Sequence, residues 1–146
     1  MAFRQVAIFL SWLGNGWLYA GVAVTVLVGA DSMSVIWRPL LSVVVLHLIY
    51  RPLKLWLSRP RPYQAYPDLK PLLPALDEYS CPSGHAMTLT AVLITLPATN
   101  GILTLVYLLL WTAMAWARVA VAHHYPSDIL AGSALAAIVA LPISTV

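Results

Sequence analysis

Charge is what this sequence has least of. Only 9% of its 146 residues are Asp, Glu, Lys or Arg, against roughly a quarter in an average soluble chain. A soluble domain of this length leaves too much surface in water to hide a composition that is 61% hydrophobic. A freely soluble fold is therefore excluded and a bilayer implied. The five acidic residues are scattered, so no carboxylate cluster of the kind that holds Mg²⁺ can be read from the chain. A single cysteine, Cys81, rules out an intrachain disulfide and suggests no Cys-based metal site. So apolar a chain is also unsuited to nucleic acid, despite its formal charge of +3.

What is present is a series of long apolar runs, each measured against the ~20 residues that a spanning helix needs. Residues 6–29 carry no charge, and Arg4 ahead of them imitates the start of a signal peptide. The run continues well past a signal-peptide core, which makes it a retained membrane helix. Residues 35–57 form a second run, with Arg38, Arg51 and Lys54 near its ends, where long cationic side chains snorkel to the interface. Residues 83–98 reach spanning length only when the helix begins near Ser83, and 102–122 and 128–144 complete the set. Between the second and third runs, residues 58–82 hold six prolines, which precludes a long regular helix and places a loop at the membrane surface. The expected architecture is all-α, one domain over 1–146, a polytopic membrane helix bundle of about five transmembrane helices. Short turns then put the N-terminus, the Pro-rich loop and the "HHYPSD" junction on one membrane face.

Three stretches on that face carry chemistry. The first, Lys54 to Pro62 ("KLWLSRPRP"), reads either as lipid-headgroup contact or as a phosphate clamp, with Arg61 a bidentate fork and Lys54 a point charge. The second is Pro82-Ser83-Gly84-His85. There Ser83 suits an N-cap, Gly84 permits close backbone approach, and the free N–H groups of a helix start suit a phosphate oxygen. The third, "RVAVAHHYPSD", has Arg118 in the last turns of an apolar run, where charge is costly unless paired or used. Pro126 turns the chain and puts Asp128 in the first turn of the last helix, near a histidine whose cation it would stabilise. Each stretch alone is equally readable as an ordinary cap or interfacial turn.

In order and spacing, K-x6-RP (Lys54, Arg61, Pro62), PSGH (82–85) and R-x5-H-x3-D (Arg118, His124, Asp128) resemble the three-part signature of the type-2 phosphatidic acid phosphatase superfamily. This superfamily comprises membrane lipid phosphate phosphatases and shares its site with vanadium haloperoxidases. The resemblance covers Lys54 to the C-terminus. It implies that Lys54, Arg61, Arg118, Ser83 and Gly84 bind phosphate, that His124 attacks phosphorus with Asp128 orienting it, and that His85 is the acid and then the base. It implies no cofactor and no metal, since three cations and a helix N-terminus can meet the transition-state charge. The sequence departs from the family at Ala117, where serine is usual, and in one span fewer than many members. The missing helix leaves a wider lipid entrance or a face for a second subunit, hence a homo-oligomer as one expectation.

The remaining residues receive smaller roles. His47 is read as a helix-packing residue, Cys81 as unactivated, Arg59 as a headgroup contact and His123 as interfacial. The expected substrate is a lipid phosphate or pyrophosphate of isoprenyl pyrophosphate, phosphatidylglycerol phosphate or phosphatidic acid type. Phosphotransfer to a second lipid and non-catalytic lipid binding stand as alternatives. Localisation is expected in a bacterial plasma membrane with the site facing outward, although Arg4, Arg51, Arg59 and Lys70 on the same face run against the positive-inside tendency.

Overall fold

The computed structural model describes residues 2–29, 32–97 and 101–146, with the side chains of 25–29 excepted. The described residues form seven helices and no strand: α1 (Ala2–Leu13), α2 (Trp17–Gly29), α3 (Ser34–Leu57), α4 (Pro62–Ala65), α5 (Gly84–Thr95), α6 (Gly101–Ala120) and α7 (Pro126–Thr145). The all-α membrane architecture read from the sequence is thus present. Three stretches are long and apolar enough to cross a membrane, one of them running from Ser34 to Ala65 through α3 and α4. The pair α1 and α2 qualifies as a fourth when taken together.

Two of the five expected spans differ from their predicted form. The first is not one helix, because α1 and α2 meet at a 57° bend. Gly16 there adopts φ +131°, which side-chain-bearing residues rarely reach, so the helix cannot run through it. The third predicted span is realised as α5, whose 12 residues rise only about 18 Å, short of a ~30 Å hydrocarbon core. Eight of those 12 residues are buried, and α5 packs against α3, α6 and α7. Enclosed by longer helices, it has no need of spanning length.

The core sits where α3, α5 and α7 meet: Leu46, Met87, Ala91, Ala136 and Ala140 are all fully buried. Small residues on α7 let backbones close up, as is usual where lipid supplies no hydrophobic drive between helices. Gly132 is the tightest point, since a Cβ there would lie 2.5 Å from the carbonyl oxygen of Ser83. Outward faces carry large exposed apolar side chains such as Phe3, Leu48, Trp56 and Ile138, as a lipid-facing surface requires.

Candidate functional site

Local chemistry at three helix ends builds the site. The carbonyl of Lys54 in the last turn of α3 is capped by the N–H of Ser58, in the left-handed region at φ 44°. The reversal aims Arg59 and Arg61 back at the bundle. Pro82 precedes α5, and Ser83 is its N-cap, its hydroxyl accepting from the Ala86 N–H at 3.5 Å, as the sequence predicted. After α6, Ala122 at φ 61° turns the chain so that the His124 N–H donates to the Arg118 carbonyl at 3.2 Å. Pro126 then opens α7, and the Asp128 carboxylate accepts from the Tyr125 N–H at 2.9 Å.

These ends enclose a cavity of about 430 Å³ lined by Arg61, Gly84, His85, Arg118 and His124, with Asp77 and Asn15. Lys54, Ser83 and Asp128 stand directly behind that lining: Lys54 reaches Asp77 at 2.8 Å, and the Ser83 N–H donates to the Asp128 carbonyl at 3.0 Å. All eight residues singled out in the sequence therefore gather around one cavity. Its cations are buried, with Lys54, Arg61 and Arg118 at 4%, 1% and 2% exposure. Among the described residues no three His, Cys, Asp or Glu side chains group as metal ligands.

The nucleophile candidate is held in one tautomer. His124 Nδ1 lies 2.7 Å from the Ser80 carbonyl oxygen. A carbonyl only accepts, so Nδ1 carries the proton and the lone pair is on Nε2. Asp128 is more distant from Nδ1, at 3.7 Å, and shares its orienting role with a backbone group that the sequence could not reveal. Burial pushes His124 down to about 4 even though Asp128 pulls the other way, so the imidazole is neutral at physiological pH. Its potential partner, His85, donates from Nε2 to Asn15 Oδ1 at 2.8 Å, and Tyr19 OH donates to the His85 carbonyl at 3.2 Å. The bend between α1 and α2 thus delivers Asn15 to the site.

Two expectations are corrected. His123 is not an interfacial residue. It is 1% exposed, accepts from Arg118 Nη2 at 2.9 Å on Nδ1 and donates from Nε2 to the Leu73 carbonyl at 2.8 Å. It therefore positions the arginine and anchors the Pro-rich loop. Arg59 is not a headgroup contact either. Its Nη1 donates to Asp128 Oδ1 at 2.7 Å and to Ser127 Oγ at 2.8 Å, with the guanidinium 4.1 Å from the Tyr125 ring. The loop is consequently part of the site rather than a free surface segment.

Other readings are refined. His47 bonds to its own helix, Nδ1 to the Val43 carbonyl at 2.9 Å, while also lining the cavity. Burial and the nearby Asp128 raise the Cys81 pKa, which keeps it a thiol and makes it a poor nucleophile. Ala117 is fully buried, yet Arg118 does have a hydroxyl partner, because its Nη1 donates to Ser11 Oγ of α1. No periodic signal in the sequence marks Ser11, Asn15 or Asp77, which meet the motifs only through tertiary packing, whereas Tyr50 stands one turn before Lys54 on α3 and accepts from its Nζ at 2.6 Å.

Membrane-length helices here enclose a cavity with three buried cations and a tautomer-fixed histidine around it. The model of the PAP2 superfamily matches residues 35–146, and the chain belongs to that superfamily. In fold it is similar to Aquifex aeolicus LpxE, with a TM-score of 0.88 at 17% identity over 99% of this chain and 87% of that one. It is also similar to a transmembrane PAP2-type phosphatidylglycerolphosphate phosphatase from Bacillus subtilis, with a TM-score of 0.77 at 22% identity, covering 98% and 75%. Both likenesses take in α1 and α2 and are likenesses of fold. Among curated proteins none matches the sequence.

Proposed function

We propose that this protein is a membrane phosphatase that removes the terminal phosphate of a lipid phosphate or pyrophosphate through a phosphohistidine. The observation that carries the reading is His124, whose bond to the Ser80 carbonyl leaves Nε2 as a lone pair in a side chain that lines a cavity with Arg61 and Arg118. His124 Nε2 attacks phosphorus as the P–O bond to the lipid breaks, and His85, entering the step as an imidazolium with its Nε2–H held by Asn15, gives its second ring proton to the departing oxygen. Water, deprotonated by His85, then cleaves the P–N bond and releases phosphate. Lys54, Arg61, Arg118 and the N–H groups at the start of α5 meet the charge on the transferred group, so turnover proceeds without a metal.

A lipid substrate is favoured by a second, apolar groove of about 250 Å³ lined by Val22, Ile36, Leu40 and Leu96. Tyr19, Val43 and Val92 border both spaces, giving a tail a continuous path from the phosphate. Isoprenyl pyrophosphate, phosphatidylglycerol phosphate and phosphatidic acid are the substrate types proposed, in a bacterial plasma membrane with the site facing outward. The test is a phosphate-release screen over these lipids in detergent with EDTA. Activity is expected in EDTA and lost in His124→Ala; metal-dependent release that survives the substitution overturns the mechanism. Trapping of acid-labile label on the wild type distinguishes hydrolysis through phosphohistidine from direct attack by water.

A further inference from the structure

The phosphate clamp already grips an anion that belongs to the chain. Asp77, in the Pro-rich loop, accepts from Lys54 Nζ at 2.8 Å and Tyr50 OH at 2.7 Å on Oδ2. Its Oδ1 lies 2.8 Å from the same Lys54 nitrogen and pairs with Arg61 Nη2. Thus the two cations of the first motif are committed to one carboxylate. Arg118 is not: its partners are Ser11 and His123, both uncharged, and its buried Nε has no partner among the described residues.

We propose that Asp77 is an electrostatic latch on this clamp, which a ligand must displace, and that the latch keeps the phosphodiester headgroups of the surrounding bilayer out of the site. The inference rests on the phosphatase reading above. A diester phosphate carries one charge and two free oxygens, the same as the carboxylate it would replace. Asp77 has the advantage of being tethered, hence present at high effective concentration. A terminal phosphate carries a charge near −2 and three free oxygens. After replacing Asp77 on Lys54 and Arg61, it still has an oxygen and a charge for Arg118. Displacement weakens every anion by the same factor, so the latch acts as a threshold. Dianions that recruit the third cation clear it, and abundant monoanions do not.

The geometry permits the exchange. The Asp77 side chain is 37% exposed, and its backbone carbonyl is held separately by Arg61 Nε at 3.1 Å. Rotation of the side chain towards solvent can therefore free the clamp while the loop stays anchored.

The test is inhibition of phosphate release by two competitors, inorganic phosphate and phosphatidylglycerol in mixed micelles, in the wild type, Asp77→Asn and Asp77→Glu. In Asp77→Asn the inhibition constant for inorganic phosphate is expected to fall on the order of tenfold, as a charged hydrogen-bonding competitor is removed. Phosphatidylglycerol, inert towards the wild type, is expected to inhibit this variant. Asp77→Glu keeps the charge and is expected to behave as the wild type. Thermal unfolding in detergent establishes that the proteins compared are folded. Unchanged or weaker phosphate binding in a folded Asp77→Asn overturns the latch while leaving the phosphatase reading intact, as does indifference of that variant to phosphatidylglycerol. Absence of phosphate release from the wild type with every lipid overturns both.

Discussion

At the scale of single residues, the two adjacent histidines of "AHHYPSD" divide the work sharply. His124 offers a lone pair from the cavity lining, whereas both ring nitrogens of His123 are spent on Arg118 and Leu73. His124→Ala is expected to stay folded and lose phosphate release by on the order of 10³ or more. His123→Ala removes one of the two partners of the buried Arg118 guanidinium and the side-chain partner of the Leu73 carbonyl, so it is expected to lower stability by about 1–3 kcal/mol and raise KM more than it lowers kcat. Thermal unfolding and steady-state kinetics on the two variants separate these outcomes. The imidazoles also set a pH dependence. Burial holds both His123 and His124 at about 4, below the ordinary 6.5, so the unfolded chain binds more protons than the folded one between these values. Stability is thus full above about 6.5 and falls as pH drops towards 4. In kcat/KM the limb due to His124 is expected near pH 4, and a profile that stays level through that value would remove His124 from the role of nucleophile.

At the scale of elements, close approaches rather than long spans place the site. A Cβ at Gly132 would meet the Ser83 backbone at 2.5 Å, and one at Gly14 would meet His85 Cδ2 and Met114 Cε at 2.6 Å each. Backbone cannot yield as a methionine can. Gly132→Ala is therefore expected to force α5 and α7 apart, at a cost of about 1–3 kcal/mol and with loss of activity, read by unfolding in detergent. Gly14→Ala is expected to be milder in stability and to act on kcat, because the neighbour it disturbs is His85. These elements also show what a sequence can and cannot reveal. Runs 35–57, 102–122 and 128–144 are visible because a bilayer imposes length and apolarity on each, and α3, α6 and α7 follow them closely. The run 83–98 overstates the length of α5, Gly84–Thr95, because the burial of α5 comes from neighbouring helices, which hydropathy does not encode. In the sequence the bend at Gly14–Gly16 shows only as a Gly-Asn-Gly triplet inside the first run. That it brings Asn15 to His85 depends on contacts across 70 residues.

At the scale of the whole molecule, the motif residues are readable since their spacing is fixed by helix ends, and partners that lie on other elements, such as Ser11, Asn15 and Asp77, are not. Asp77 is the clearest case: it stands 16 residues from Arg61 in a proline-rich loop with no periodicity. The exposed apolar faces of the bundle predict extraction only with detergent. With the site outward, a cysteine placed at exposed Asp68 in a Cys81→Ser background is expected to react with an impermeant reagent added to intact cells. Labelling only after lysis reverses the orientation.

Four residues of the Pro-rich loop are tied to the segment 118–128: Arg59 on Asp128, Arg61 on the His123 carbonyl, Leu73 on His123 and Ser80 on His124. It is therefore not a transferable module. A chimera that takes this loop from a relative, in the hope of importing its headgroup preference, also exchanges the groups that orient the histidine and its carboxylate. Such grafts are expected to be inert unless residues 118–128 travel with residues 59–80, so that the smallest unit that can be exchanged is a pair of distant segments.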